Sequence, residues 1–378
     1  MTDAYAIDLQ PTTAGASIGD WLERQSARLF ILPAVVVILV FSIFPLLVSS
    51  YLSLARFRLA PGGYQLTFVG DLNFRRLLVG SQQFHFLGTF APISTAGWIV
   101  ITLFAMALGW LLWRTWRHGR VTILGFAGRL LSAAFALSLV VLFAATVNGQ
   151  AGSLVTTLVY VAGGVSVQFV IGLGLAMLCA QPIRGRNFFR VIFFLPLMVT
   201  PVGIAYTFRM LADTNIGPFV PVLKAFGLAQ ASWASDPWSA RLVVVIGDSW
   251  QWIPFIFIVM LAAIESQPRD QVEAAELDGA GVMRIFRDVT WPSIAPIAAT
   301  VVLIRIIEAF KIIDLPNVLT NGGPGIASES MTLHAFVAWR ALDLGGSAAV
   351  AYMLLFVVVF VCMSMLAFVR PAESEARP

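Results

Sequence analysis

Apolar residues in this chain gather into long runs instead of helix-face stripes. Leu29–Leu54, Ala91–Trp113, Leu130–Val147, Leu154–Ala180, Val191–Leu211, Leu242–Ile264, Ile294–Ile313 and Ser347–Val369 are apolar over most of their length. A run of about 20 such residues crosses the hydrocarbon layer as a helix, the form in which a segment satisfies its own backbone in lipid. The pattern predicts an all-α, polytopic transmembrane helical bundle of about 8 spans. The third run is the weakest, being short and followed by only a small loop, Asn148–Ser153.

The polar stretches divide the chain. Residues 1–28, with Pro11, Thr12, Thr13, Gly15 and Ser17, read as a cytoplasmic N-terminal tail. The apolar run that follows is longer than a signal-peptide core and has no small-residue cleavage site, so it is expected to stay as the first span. Residues 29–90 then form the first span and an outer loop, 91–153 a transmembrane hairpin, and 154–370 a core domain. That core carries a charged segment at 266–293, and 371–378 is a short tail. The segments between Arg56 and Phe90 and between Ala212 and Ala240 are long enough to form small outer caps. With the N-terminus inside, fourteen of the 24 Lys and Arg residues fall in cytoplasmic segments and six in outer ones. Basic residues favour the cytoplasmic side, which predicts cytoplasmic N- and C-termini.

Composition agrees: 59% of residues are hydrophobic and 12% charged, against about 25% charged in soluble domains. Cys179 and Cys362 both fall inside apolar runs and are expected to be buried thiols, not a disulfide. His85, His118 and His334 are far apart, with no HxxxH or HxxE spacing, so no metal site is expected. A Walker-type nucleotide site is excluded more firmly. A P-loop needs a lysine just after glycine to reach the phosphates. The two lysines, Lys224 and Lys311, follow Leu223 and Phe310. The chain is not expected to be an enzyme, to hold a cofactor or to bind nucleic acid.

One stretch stands out. Pro268–Asp288 carries Arg269, Asp270, Glu273, Glu276, Asp278, Arg284, Arg287 and Asp288. Pro268 suits a first helical turn, with Ser266 or Gln267 as cap. Gly279 and Gly281 interrupt the helix. Val282, Ile285, Phe286 and Val289 then recur at helical spacing in a second short helix, which Pro292 and Pro296 close. An amphipathic segment lying on lipid headgroups is one reading. Glu273, Glu276 and Asp278 at its centre would be repelled by an anionic membrane surface, and a polar protein partner explains them better.

Glu273-Ala274-Ala275, Asp278-Gly279-Ala280, Phe286, Val289, Pro292 and Pro296 resemble the "EAA" signature of binding-protein-dependent ABC importer permeases. Trp291 stands where that pattern has leucine and Val289 where it has isoleucine. Thr67-Phe68-Val69-Gly70 is similar to the family's first outer loop, and Arg184–Arg190 to its short inner loop. Leu319–Pro324 resembles the glycine-rich outer turn of the first permease in maltose-type carbohydrate importers. The resemblance covers the first span and the region from Leu154 to Arg370, leaving Ala91–Val147 as an extra hairpin. It implies a bacterial inner-membrane, multi-pass permease that performs no chemistry, surrounded by membrane lipid. Its implied partners are a second, homologous permease in a heterodimer, two ABC ATPase subunits that hydrolyse ATP, and an extracytoplasmic solute-binding protein. The cargo would be a di- or oligosaccharide, or a related polyol or glycerol compound. Glu273, Ala274, Ala275, Asp278 and Gly279 would be the contacts to the ATPase, in a segment called the coupling helix.

Two features lie outside that signature. Arg305, Glu308 and Lys311 recur at three-residue steps on nearly one helical face, with Asp314 just beyond. They form either an internal salt-bridge ladder or part of a polar path. Sugars are held by hydrogen bonds and aromatic stacking, which makes Trp250, Gln251, Trp252, Glu308, Phe310 and Asn317 candidates for a substrate path. An interfacial aromatic belt is the plainer reading of the tryptophans. A secondary, ion-coupled transporter would use the Arg305 cluster but leave the Glu273–Pro296 pattern unexplained. An intramembrane enzyme has no paired catalytic groups to support it.

Overall fold

The computed structural model describes residues 30–117, 123–146, 150–181, 184–211, 213, 216–225, 227 and 235–375. The tail 1–28, His118, and residues 212, 214–215, 226 and 228–234 of the second outer segment lie outside them. Among the described residues, 7 helices are long and apolar enough to cross a membrane, or up to 8 if one bent pair counts as a span. The chain divides after Leu52, so the first helix, α1 (Phe30–Ser53), is a unit of its own.

The second unit opens with a feature the hydrophobic runs do not announce. β1 (Ala55–Ala60) and β2 (Gly63–Phe68) pair antiparallel, with Ala55 opposite Phe68 and Ala60 opposite Gly63. The Pro61-Gly62 turn allows the reversal, with Gly62 at φ +94° and Gly63 at φ +145°. Two short helices follow, α2 (Leu72–Leu78) and α3 (Gln83–Phe86). Asn73 is buried in α2, and its side-chain amide donates to the Ala55 carbonyl at 3.0 Å.

α4 (Thr95–Arg117) and α5 (Ile123–Thr146) form the hairpin. It packs on the last helix, α14 (Leu344–Glu375), where the Phe135 and Phe360 rings lie 4.6 Å apart. α6 (Ser153–Ala180) and α10 (Pro237–Glu265) form the centre of the bundle. They approach closely because Gly172 has no side chain. A Cβ there would stand 2.8 Å from Ile256 Cγ2. Asp236 caps α10, accepting from the Ser239 backbone N–H at 2.7 Å, with Pro237 at the first helical position.

The run Val191–Leu211, expected as one span, is a broken pair: α7 (Arg186–Met198) and α8 (Pro201–Leu211) meet at 98°. Pro196 and Pro201 each remove a backbone donor and clash with the preceding turn, and Val199 is extended. A short helix, α9 (Val220–Ala225), follows.

After α10 come α11 (Arg269–Leu277) and α12 (Val282–Phe310). The short helix expected after the glycines is not separate, because Val282 begins one 29-residue helix that runs into the seventh span. Pro292 does not stop it. A π-turn at Phe286–Thr290 absorbs the missing hydrogen bond one turn earlier. A second π-turn, Pro316–Thr320, leads through a glycine-rich loop to α13 (Met331–Arg340) and α14.

Three apolar clusters hold the second unit together. Phe86, Leu154, Phe310, Met331 and Val350 meet in one. Cys179, Phe257, Met260, Ile294 and Val301 meet in another, and Tyr160, Ala205, Val244 and Leu319 in a third. Cys179 is buried and both cysteines are free.

Candidate functional site

The charged segment ends α11 with a defined stop. Pro268 is extended and precedes the first helical residue, with no side-chain cap from Ser266 or Gln267. At the other end, Gly279 has φ +76°. Its N–H donates to the Glu276 carbonyl at 3.0 Å, and the Ala280 N–H reaches back to Ala275, also at 3.0 Å. This paired closure around a left-handed residue is a Schellman motif, and it explains the glycine. Gly281 is different: its φ is −73°, and it serves as the extended N-cap of α12.

Apolar side chains are left outward at this elbow. Leu277 is 90% exposed, Val282 79% and Met283 77%. Glu273, Ala274, Asp278 and Gly279 are exposed beside them, and Ala275 is half-buried. Glu273 and Glu276 line a groove of about 780 Å³ that also takes in Ala180, Arg186, Arg269 and Phe286. The elbow therefore presents carboxylates and uncovered hydrophobic groups together, at the end of α6 and α10. Large apolar groups left uncovered by the core are the kind of surface that takes a partner.

A second cluster lies inside the bundle. Arg305 of α12 is fully buried. Its Nε donates to Gln168 Oε1 at 2.6 Å, and its NH2 group donates to Asp248 Oδ2. Gln168 Nε2 donates to the same Asp248 oxygen at 2.8 Å, and the guanidinium lies over the Trp252 ring, 4.7 Å from its centre. The salt-bridge ladder expected along α12 is thus divided. Glu308 pairs with Lys311 at 2.6 Å, while Arg305 turns to α6 and α10. The Arg305 charge is thus matched within the core by Asp248, on another helix, and not by Glu308.

The candidate path residues do not share a face. Trp250 is 42% exposed and packs against Phe208, with ring centres 6.0 Å apart. Two positions along the helix, Trp252 points elsewhere and holds Arg305, while Gln251 is buried and donates to the Val199 carbonyl at 3.3 Å. Phe310 is fully buried in the apolar core, which removes it from any path in this conformation. Glu308 and Asn317 are half-buried.

At the opposite end of α6 from the elbow, roughly 40 Å away by helix rise, polar groups secure the glycine-rich loop. Tyr160 donates to the Ser328 carbonyl at 2.7 Å, and Arg241 Nε donates to the Ala327 carbonyl at 2.7 Å. Thr156 reaches the same Ala327 carbonyl at 3.2 Å. The fold also brings together two histidines that sequence spacing keeps apart. His85 of α3 and His334 of α13 stack with ring centres 3.9 Å apart. His85 Nε2 lies 2.9 Å from Glu329 Oε2, and His334 Nδ1 lies 2.9 Å from the Ser153 hydroxyl. Burial, and next the neighbouring His85, push the His334 pKa down to about 3, so that ring is neutral at neutral pH. No local spacing could have revealed this group, because it joins residues 244 apart.

Residues 168–372 match the family described as binding-protein-dependent transport system inner membrane component. That is more than half of the chain. The chain belongs to this family. Its members are inner-membrane components of transport systems, and the elbow, the buried cluster and the tethered loop all lie in the matched region or at its edge. Among curated proteins, the chain is 33% identical over 195 residues to the trehalose/maltose transport system permease protein MalF of Thermococcus litoralis. The match covers 52% of this chain and 66% of that protein. It is 29% identical over 222 residues to the sn-glycerol-3-phosphate transport system permease protein UgpA of Yersinia pestis, covering 58% and 74%. A solved bacterial alginate ABC transporter, in complex with an alginate pentasaccharide-bound periplasmic protein, contains a chain of similar fold. The TM-score is 0.50 at 20% identity, over 60% of this chain and 77% of that one.

Proposed function

We propose that this family member is the membrane-spanning permease subunit of an ATP-driven importer for a carbohydrate. In this reading it forms one half of a translocation path, beside a second permease. The relatives named above carry trehalose or maltose and glycerol 3-phosphate by name, which supports a sugar or a related polyol compound as cargo. Two ABC ATPase subunits supply the energy, and an extracytoplasmic solute-binding protein delivers the solute; the alginate transporter's complex with a pentasaccharide-bound periplasmic protein supports such a partner. The N- and C-termini and the elbow face the cytoplasm of a bacterial cell.

The observation that carries the proposal is the elbow at Gly279. An exposed turn that presents carboxylates together with Leu277, Val282 and Met283 suits insertion into a cleft of another protein. Glu273, Ala274, Ala275, Asp278 and Gly279 make the contacts to the ATPase. Glu273 sets register, Ala274 and Ala275 allow close approach, and Gly279 allows the turn. The test is Glu273→Arg in the assembled transporter, reconstituted in vesicles with its partner subunits. The variant should insert normally, lose ATP-driven uptake and co-purify poorly with the ATPase. Uptake at the wild-type rate by the inserted variant would refute the assignment.

A further inference from the structure

Glu329 occupies an unusual position for a carboxylate. Its side chain is 7% exposed, Oε2 meets His85, and Oε1 is buried with no hydrogen-bond partner. Leaving a buried carboxylate oxygen unmatched is costly and calls for a donor or a cation. His85 and His334 lie beside it, and one donor atom from each of the three residues falls within 4.8 Å of the others.

We propose that His85, Glu329 and His334 form a binding site for a divalent transition-metal ion of borderline softness, with Zn²⁺ as the best match. Two imidazoles and one carboxylate are a common zinc donor set, and three protein ligands leave a fourth position for water. Ligand atoms on one tetrahedral zinc are about 3.3 Å apart, given bonds of about 2.0–2.1 Å. The contraction needed is thus within reach of side-chain rotation. The two rings are now stacked, 15° from parallel, and must splay for their lone pairs to converge. His85, with 27% of its side chain exposed, has room to move and opens the site to solution. Ser153 engages His334 through Nδ1, which leaves Nε2 as the nitrogen of that ring that would bind the ion. A group that fixes one ring nitrogen while the other binds metal is the usual outer-shell arrangement. Bound there, the ion would join α3 to the segment entering α13, which are already linked across the site by the His85–Glu329 contact and the His85–His334 stack.

The full-length protein, purified through a tag without histidines and placed in nanodiscs, tests this with Zn²⁺ and Co²⁺ as probes. After dialysis against Zn²⁺, elemental analysis should find one ion per chain. Glu329→Gln and His85→Asn should each weaken Zn²⁺ binding at least about tenfold. Co²⁺ should give the intense visible absorption of a four-coordinate nitrogen and oxygen site. Failure of the wild type to retain zinc, or wild-type affinity in both variants, would overturn the site. Should Glu329→Gln fail to fold, His85→Asn decides, since His85 is partly exposed.

Discussion

Arg305 Nε donates to Gln168 Oε1 at 2.6 Å, joining residues 137 apart, while the same guanidinium is matched by Asp248. Three spans therefore meet at one buried charge pair. Removing one partner leaves an uncompensated charge, which costs about 3–5 kcal/mol. Asp248→Ala should lower the thermal stability of the detergent-solubilised protein sharply. Asp248→Leu combined with Arg305→Met, which removes both charges, should recover more than half of the loss. Equal melting temperatures for wild type and Asp248→Ala would mean the pair contributes nothing.

The two elbow glycines should respond differently. Gly279 is left-handed and Gly281 is not, and neither would crowd a Cβ. Gly279→Ala should cost about 1 kcal/mol in forming the turn and reduce ATP-driven uptake by the assembled transporter. Gly281→Ala should leave uptake within about twofold, the size of a surface change. Uptake rates of the two variants, normalised to the amount inserted, settle the comparison.

Close packing of α6 on α10 depends on Gly172. A Cβ there meets Ile256 at 2.8 Å and the Phe257 backbone nitrogen at 3.1 Å, whereas one at Gly174 meets nothing within 4 Å. Gly172→Val should destabilise by about 1–3 kcal/mol through overpacking, and Gly174→Val should not. Thermal melting in a single detergent gives the answer.

At the head of α10, hydrogen bonds from Ser239 hold the Asp236 carboxyl below the usual carboxylate range. Its folded pKa is depressed, so its stabilisation is present above the unfolded pKa and fades as pH falls through the folded one. Asp236→Ala should cost about 1 kcal/mol at neutral pH. Asp236→Asn, still a good cap, should keep most of the stability and lose this acid dependence. Parallel melts at neutral and acidic pH would show whether the variants separate this way.

Much of this was legible in the chain itself, for physical reasons. A run such as Leu154–Ala180 must be helical in lipid, and its observed bounds differ by one residue at the start. The glycine elbow was legible because only glycine closes a helix so cheaply with positive φ. What composition hides is directional. Val191–Leu211 is apolar enough for one span, but Pro196 and Pro201 break it and turn it through 98°. Pro292 looks like a stop and is not, because a π-turn supplies the slack. The partners of Arg305 were missed for a related reason. Helical spacing names Glu308, and burial selects Asp248 and Gln168 from other helices. His85 and His334 carry no local signal at all, since only the tertiary fold stacks them.

The unbroken helix from Val282 to Phe310 sets what motion at the elbow can do. Val282 and Arg305 are roughly 35 Å apart along its axis. Such a rod acts as a lever: a tilt of about 5° at one end sweeps the other by roughly 3 Å, given that length. That exceeds the play in the Arg305–Gln168 bond. Any stroke delivered at Met283 must therefore either drag α6 and α10 along as one body or snap the polar latch at Arg305.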